Sequence, residues 1–363
     1  MMRRIIPVLL LIILFSSCRK SESDFLWNKS YGKGMAYFLS ATADSGLISC
    51  GETDGKPYLV RLDKNRRQVF DYSGPDAGLF SAVWFDTSGY VTGGNAGGDM
   101  LLMHLSPDGT LLWEKTFDAG FRVDFTSLFY AGNGNLLAIG TASPDSSDSG
   151  TTGILFVRFD TTGQVMEENK INEVNFVAAS GAHVDGEGNI ILALTRQAPG
   201  ARPKASVAMY NDLLQKLWET ELYNNPDFGA ASLSVIADGS GNIYLSGKTE
   251  LPSEEGTLNN SFLASLSSSG TVRWKKYLES SNQGSALIFD DVGDIMMLNR
   301  NCFIINIANT DDGSDAGLIR MFSLCDSYNT DALGAGLALS YDGNIYVAGS
   351  HGGNFYLALK SSQ

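Results

Sequence analysis

The sequence predicts an all-β chain, and three observations predict it. Glycine is abundant, 40 of 363 residues, while only 18% of residues are charged and 44% are hydrophobic, a balance that suits many short strands joined by tight turns. One phrase, a turn holding Gly or Asp-Gly followed by an apolar strand that often ends in another Gly, recurs seven times. A second phrase, an alternating apolar strand, a turn and a strand bearing Trp or a substitute, follows the first within the units.

The first phrase occupies residues 44–51, 88–93, 132–140, 186–192, 239–247, 292–298 and 342–349. Its turn glycines, Gly46, Gly89, Gly134, Gly188, Gly241, Gly293 and Gly343, are spaced 43 to 54 residues apart, the size of one four-stranded β-propeller blade. The second phrase is clearest at 101–115, with Trp113, and recurs at 262–276, with Trp274, and at 207–218, where the turn is degenerate. Alternation over such a strand sends one set of side chains into a sheet-to-sheet interface, so these residues are packing. Each unit then has an inner strand (37–42 in the first), a Gly strand (47–53), an alternating strand (58–63) and an outer strand (68–72).

The last unit, 333–360, supplies three strands and ends without a Trp strand. The segment Trp27, Asn28, Lys29 matches Trp113, Glu114, Lys115 and Trp274, Lys275, Lys276. The N-terminal segment is therefore expected to complete the last sheet and close the ring, which removes two exposed sheet edges. The expectation is a seven-bladed β-propeller over 26–363.

These phrases resemble the quinoprotein-like (PQQ-type) propeller superfamily, whose blades carry an Asp-x-x-Gly-x-x-x-Trp-like turn and strand, and its non-catalytic lipoprotein members. The resemblance covers nearly the whole chain after residue 25 and implies the fold. The superfamily's cofactor-binding and calcium-ligand residues have no counterpart in this sequence, so quinone binding is not implied and no cofactor is expected.

The N-terminus carries an address. Arg3 and Arg4 precede an apolar run from Ile5 to Phe15, and Ser16 and Ser17 precede Cys18. The run is too short for a bilayer span, which needs roughly 20 residues, and fits a signal peptide at 1–17. Residues 15–18 resemble the bacterial lipobox, with Phe15 where Leu is commonest, which implies that Cys18 is acylated and becomes the new N-terminus. Two or three acyl chains anchor a protein durably where one does not. Residues 18–25 then form anchor and tether, and the folded part sits on a membrane of the bacterial cell envelope, outside the cytoplasm.

Residues that could perform chemistry are sparse. The net charge of −14 repels phosphates, which excludes nucleic acid as an expected partner. The three histidines, His104, His183 and His351, fall in different units with no metal spacing. After acylation of Cys18, Cys50, Cys302 and Cys325 remain; Cys50 fits a buried hydrophobe, and Cys302 and Cys325 could pair. The acidic loops 144–150 and 310–315 do not match a calcium loop, and no metal is expected. Residues 106–113 look like the Asp-box of sialidases at the wrong spacing, and the scattered arginines form no cluster for a substrate carboxylate.

Loop length marks the candidate face. Links between the Gly strand and the alternating strand are long at 141–153, 196–204 and 249–260, all emerging at one end of the ring beside the loops between units. Binding usually resides on loops held by a rigid scaffold. Candidate ligand-facing residues are Tyr31, Phe121, Asp145, Asp148, Tyr223, Phe228, Glu254 and Glu255. The expectation is a non-catalytic binding or scaffold module for an envelope protein or glycan. The alternative is a glycoside hydrolase or lyase whose paired carboxylates meet at the channel mouth, one with a raised pKa.

Overall fold

The computed structural model describes residues 25–361 apart from 75, 77, 118–121, 133, 145–150, 224–226, 254–255, 279–283, 301–302 and 321–331. Every regular element among them is a strand. Strands β1 (Phe25–Ala41), β2 (Leu47–Thr53), β3 (Lys56–Leu62) and β4 (Gln68–Ser73) open the chain. Then come β5 (Gly78–Asp86), β6 (Gly89–Ala96), β7 (Asp99–Leu105), β8 (Leu111–Phe117), β9 (Arg122–Gly132), β10 (Asn135–Ser143), β11 (Gly153–Asp160) and β12 (Val165–Asn172). Next are β13 (Phe176–Val184), β14 (Ile190–Arg196), β15 (Lys204–Tyr210), β16 (Lys216–Glu221), β17 (Ala230–Ala237), β18 (Ile243–Ser253), β19 (Gly256–Leu266) and β20 (Val272–Leu278). The last are β21 (Gly284–Phe289), β22 (Ile295–Asn299), β23 (Ile304–Ala308), β24 (Asp315–Arg320), β25 (Ala332–Leu339), β26 (Ile345–His351) and β27 (Asn354–Lys360).

Five sheets are four-stranded, antiparallel and in chain order: β5–β8, β9–β12, β13–β16, β17–β20 and β21–β24. The sixth has seven strands in the order β25-β26-β27-β1-β2-β3-β4. Strand β1 serves it twice. Its first half pairs with β27, Trp27 opposite Leu359 and Ser30 opposite Tyr356, and its second half pairs with β2, from Gly34 opposite Thr53 to Ala41 opposite Leu47.

The apolar side chains do not gather into one core; they form seven clusters, each shared by two successive units. Ile48, Leu59, Phe80 and Met103 join the β1–β4 unit to the next, and Tyr244, Leu263, Leu287 and Met297 join β17–β20 to β21–β24. The cluster of Leu47, Val60, Tyr346 and Leu357 joins the first unit to the strands at the C-terminus. Second and third strands, packed on both faces, are buried almost throughout, as in β2 and β3, whereas outer strands such as β4 alternate between half-buried and exposed. Each fully buried large side chain contributes about 1.5–3 kcal/mol.

The repeated phrases have geometric causes. Midway along each innermost strand a residue bulges out of register with the second strand, Tyr37, Ser81, Thr126, Ser180, Leu233, Ser285 and Ala335, and β9 and β13 bulge again at Ala131 and Val177. The bulge presses the preceding backbone onto the second strand, where the phrase places its closing Gly. A Cβ on Gly51, Gly247 or Gly349, or on Gly94 one residue past the phrase in the second unit, would lie 1.9–2.2 Å from a carbonyl oxygen of the inner strand. The second phrase is a latch between units. The indole Nε1 of Trp113 donates to Thr161 O (2.8 Å), that of Trp218 to Ser268 O (3.0 Å) and that of Trp274 to Thr310 O (3.2 Å). The rings lie on Gly163, Gly270 and Gly313, each with φ between 72° and 80°, and a Cβ there would meet the indole at 3.1, 2.6 and 2.7 Å.

Candidate functional site

The innermost strands β1, β5, β9, β13, β17, β21 and β25 surround a central channel of about 770 Å³. The seven mid-strand bulge residues, Tyr37, Ser81, Thr126, Ser180, Leu233, Ser285 and Ala335, all line it. The end from which the inner strands start carries the polar wall: Tyr37, Ser81, Asp124, Thr126, Ser180, Ser285 and Arg300, the last just past β22. The other end is apolar, with Phe129, Ile236, Ile288 and Leu337 beside His183. Burial holds His183 below the usual imidazole range against the opposing pull of Asp185, which keeps the ring neutral.

A second cavity of about 540 Å³ adjoins the polar end and shares Met35 and Tyr37 with the channel. Lys33, Glu52 and Asp54 line it. The Tyr37 hydroxyl donates to Glu52 Oε1 at 3.5 Å, and burial, then the Glu52 charge, hold the phenol above its usual range while Arg300 pulls it down. Arg300 and Tyr37 line the same polar end of the channel. Asp124, at the same mouth, faces Arg122 at 3.4 Å.

The long connections emerge at this polar end, and two of them are ordered structures. Residues 249–260, expected as a loop, are mostly ribbon: β18 and β19 continue their pairing from Thr249 opposite Asn260 to Ser253 opposite Gly256. The link after β14 is pinned by Arg196. Its guanidinium grips Glu219 with Nε and Nη2, meets Glu173 Oε2 at 3.0 Å and donates to Val174 O at 2.9 Å. Lys216 Nζ and the Tyr210 hydroxyl complete the nest on Glu173 Oε1 at 2.7 and 2.8 Å. Burial raises both carboxyls, but hydrogen bonds from Lys216, Tyr210 and Arg196 to Glu173, and from Arg196 and Lys216 to Glu219, hold both below the usual range. Two cations thus match two carboxylates, so the nest is a structural clasp.

Of the residues expected to face a ligand, Tyr31 and Tyr223 are seam residues. Tyr31 packs edge-on against Phe355 (5.5 Å) and beside Tyr58 (6.0 Å); Tyr223 packs on Phe262 (4.6 Å) and Tyr277 (5.5 Å). Both hydroxyls are shielded from solvent with no hydrogen-bond partner, and burial raises both phenols. Aromatic rings that close an outer strand onto the neighbouring unit bury more area in the seam than at the surface, which is why they turn inward. Phe228 is half-buried just before β17. Phe121, Asp145, Asp148, Glu254 and Glu255 lie outside the described residues, as do Cys18, Cys302 and Cys325.

The remaining singled-out groups have structural partners. His104 Nδ1 sits 3.2 Å from Thr161 O and its ring packs on Trp113. His351 packs on Tyr356, and Cys50 is buried, its thiol pushed up by burial. Turn 309–314 is closed by its own side chains, Asp311 N on Asn309 Oδ1 and Ser314 N on Asp312 Oδ1. No group of three potential metal ligands occurs among the described residues, and no helix there is long and apolar enough to cross a membrane.

No family model and no curated protein matches the chain. Its backbone is similar to that of a streptogramin B lyase, with a TM-score of 0.63 at 11% identity over 92% of this chain and 98% of that one. It is also similar to YCF48 bound to D1 peptide, with a TM-score of 0.58 at 8% identity over 93% and 95%. Both neighbours are β-propellers. The fold is a β-propeller. At such identities the likeness covers the scaffold and leaves the chemistry of the site to its own residues. Sequence reasoning missed Tyr37, Arg300 and the ring of bulged residues. The signal that could have found the bulged residues is the seven-fold repeat itself, since the residue facing the axis recurs eight or nine residues before each turn glycine, whereas Arg300 stands outside the repeat.

Proposed function

We propose that this chain is a lipid-anchored, non-catalytic binding module of the bacterial cell envelope, a seven-bladed propeller closed by its N-terminal strand, that takes an envelope protein or glycan at the polar end of its channel. One observation carries the reading: the polar wall of the channel, the second cavity and the long connections all lie at the same end. The pairing of β1 with both β27 and β2, and the apolar cluster spanning the first and last units, support ring closure. Cys18 and its flanks support the anchor.

The test uses the full chain, expressed with its leader and extracted in detergent, in a glycan-array and envelope pull-down screen beside a variant with 251–258 shortened to a turn. Binding that is lost in the folded variant supports recognition at this end. Binding that survives shortening, or cleavage of a glycan that Glu52→Gln abolishes, replaces this reading with another face or with the carbohydrate-active enzyme. Cys18→Ala is expected to lose metabolic palmitate label and to move the protein from the membrane fraction to the soluble one; retained label overturns the anchor.

A further inference from the structure

The channel's polar wall has a chemistry of its own. Arg300 lines it with no ion-pair partner among the described residues, while the other cations near the mouth are a Lys33 beside Glu52 and Asp54 and an Arg122 beside Asp124. One guanidinium in a half-enclosed site selects a planar monoanion that it can grip with two N–H groups. A phosphate dianion would bring a second charge toward Glu52 and Asp54 in a chain whose net charge is −14, and it would gain no second cation.

The bulges supply the rest. Thr126 Oγ1 donates to Ala179 O at 2.8 Å and Ser285 Oγ donates to Leu298 O at 3.1 Å, so each hydroxyl has spent its proton and keeps lone pairs for an incoming O–H donor. Ser81 Oγ is shielded from solvent and makes no hydrogen bond, an unmet demand in the channel wall. Donors on a ligand opposite hydroxyl acceptors mean a polyol, and an anion opposite Arg300 means a carboxylate on it. A cavity of about 770 Å³ holds one or two sugar rings.

We propose that the channel binds a polyhydroxy carboxylate, with Arg300 on the carboxylate, Tyr37 beside it and the bulge hydroxyls Ser81, Thr126 and Ser285 on the hydroxyl groups. The source is either a free sugar acid or the uronate end of a glycan. This deepens the reading of the polar end as a recognition site and rests on it only for the second source.

Calorimetric titration of the full chain in detergent tests it with D-galacturonate, the methyl glycoside of trigalacturonate, D-galactose and inorganic phosphate as probes. Galacturonate is expected to bind with Kd below about 1 mM, and galactose and phosphate at least about tenfold more weakly. Arg300→Gln removes a charge-assisted pair and is expected to cost at least about tenfold for galacturonate with galactose unchanged, while Ser81→Ala costs a few-fold. An unchanged melting temperature shows that each variant is folded. No galacturonate binding, equal binding of galactose, or galacturonate binding indifferent to Arg300→Gln each overturns the proposal. Tighter binding of the trisaccharide glycoside assigns the glycan source; equal binding assigns the free acid. If the envelope screen finds a partner that galacturonate does not displace, the recognition reading stands without this site, and if galacturonate binds while the screen is empty, the reverse holds.

Discussion

Two seams of this propeller solve the same problem with opposite chemistry. Between β5–β8 and β9–β12, the outer strand lays Trp113 on the left-handed Gly163 of its neighbour's turn and ties the indole to Thr161 O. Between β9–β12 and β13–β16, the outer strand β12 brings no Trp, and the matching turn position is Leu214, with φ of 60°. There the unit sends Glu173 into a nest built by Arg196, Lys216, Glu219 and Tyr210. Both seams bury an apolar cluster, to which the first adds an indole latch and the second a clasp of paired charge, so they should respond differently to pH and salt.

The largest effect is expected from Trp113→Ala. It removes the ring and its hydrogen bond, should cost about 2–4 kcal/mol at any pH, and is read from thermal unfolding at pH 4 and pH 7. A loss confined to one pH would break the distinction between the seams. Next comes Glu219→Gln, which should cost about 1–3 kcal/mol at pH 7 because it leaves Arg196 half-paired in a mostly buried nest. Here the sign follows from the shift: the carboxyl is depressed in the folded state, so its contribution is present above the unfolded carboxylate range and is lost as pH falls through the folded pKa. The gap between wild type and variant should therefore close below about pH 4 and shrink in high salt. A pH-independent gap would make the nest a packing feature.

Smaller effects sharpen the comparison. Gly270→Ala puts a Cβ 2.6 Å from the Trp218 ring at a positive φ and should cost about 1–2 kcal/mol, seen as a lower melting temperature and a changed Trp emission. Arg66 occupies the same left-handed turn position in the β3–β4 hairpin, with φ of 62° and a shielded, unpartnered Nε. Arg66→Gly should stabilise by about 0.5–1 kcal/mol, and an unchanged or lower melting temperature would show that Arg66 has a partner role of its own.

The sequence by itself determined the repeat, and with it the strands. Period, turn glycines and Trp spacing are local properties, because each unit meets the same constraint of a bulged inner strand and three of them also lay an indole on the next turn. Gly51, Gly247 and Gly349 were visible as a pattern before the carbonyl that demands each was known, whereas in the second unit the phrase closes on Gly93 and the carbonyl is met by Gly94. The pairing partner of Trp27 was legible for the same reason, since Trp27 lies opposite Leu359 of β27.

Only the tertiary structure decided which side chains meet across units. Arg196, Glu173 and Glu219 are scattered charges in the sequence, and Tyr31 and Tyr223 look like surface aromatics there. Whether an aromatic faces solvent or a seam depends on the neighbouring sheet, which for Tyr31 includes Phe355 at the far end of the chain. Arg300 meets the bulge hydroxyls because every inner strand runs along one axis, and a lone Arg outside the repeat carries no local signature of that convergence.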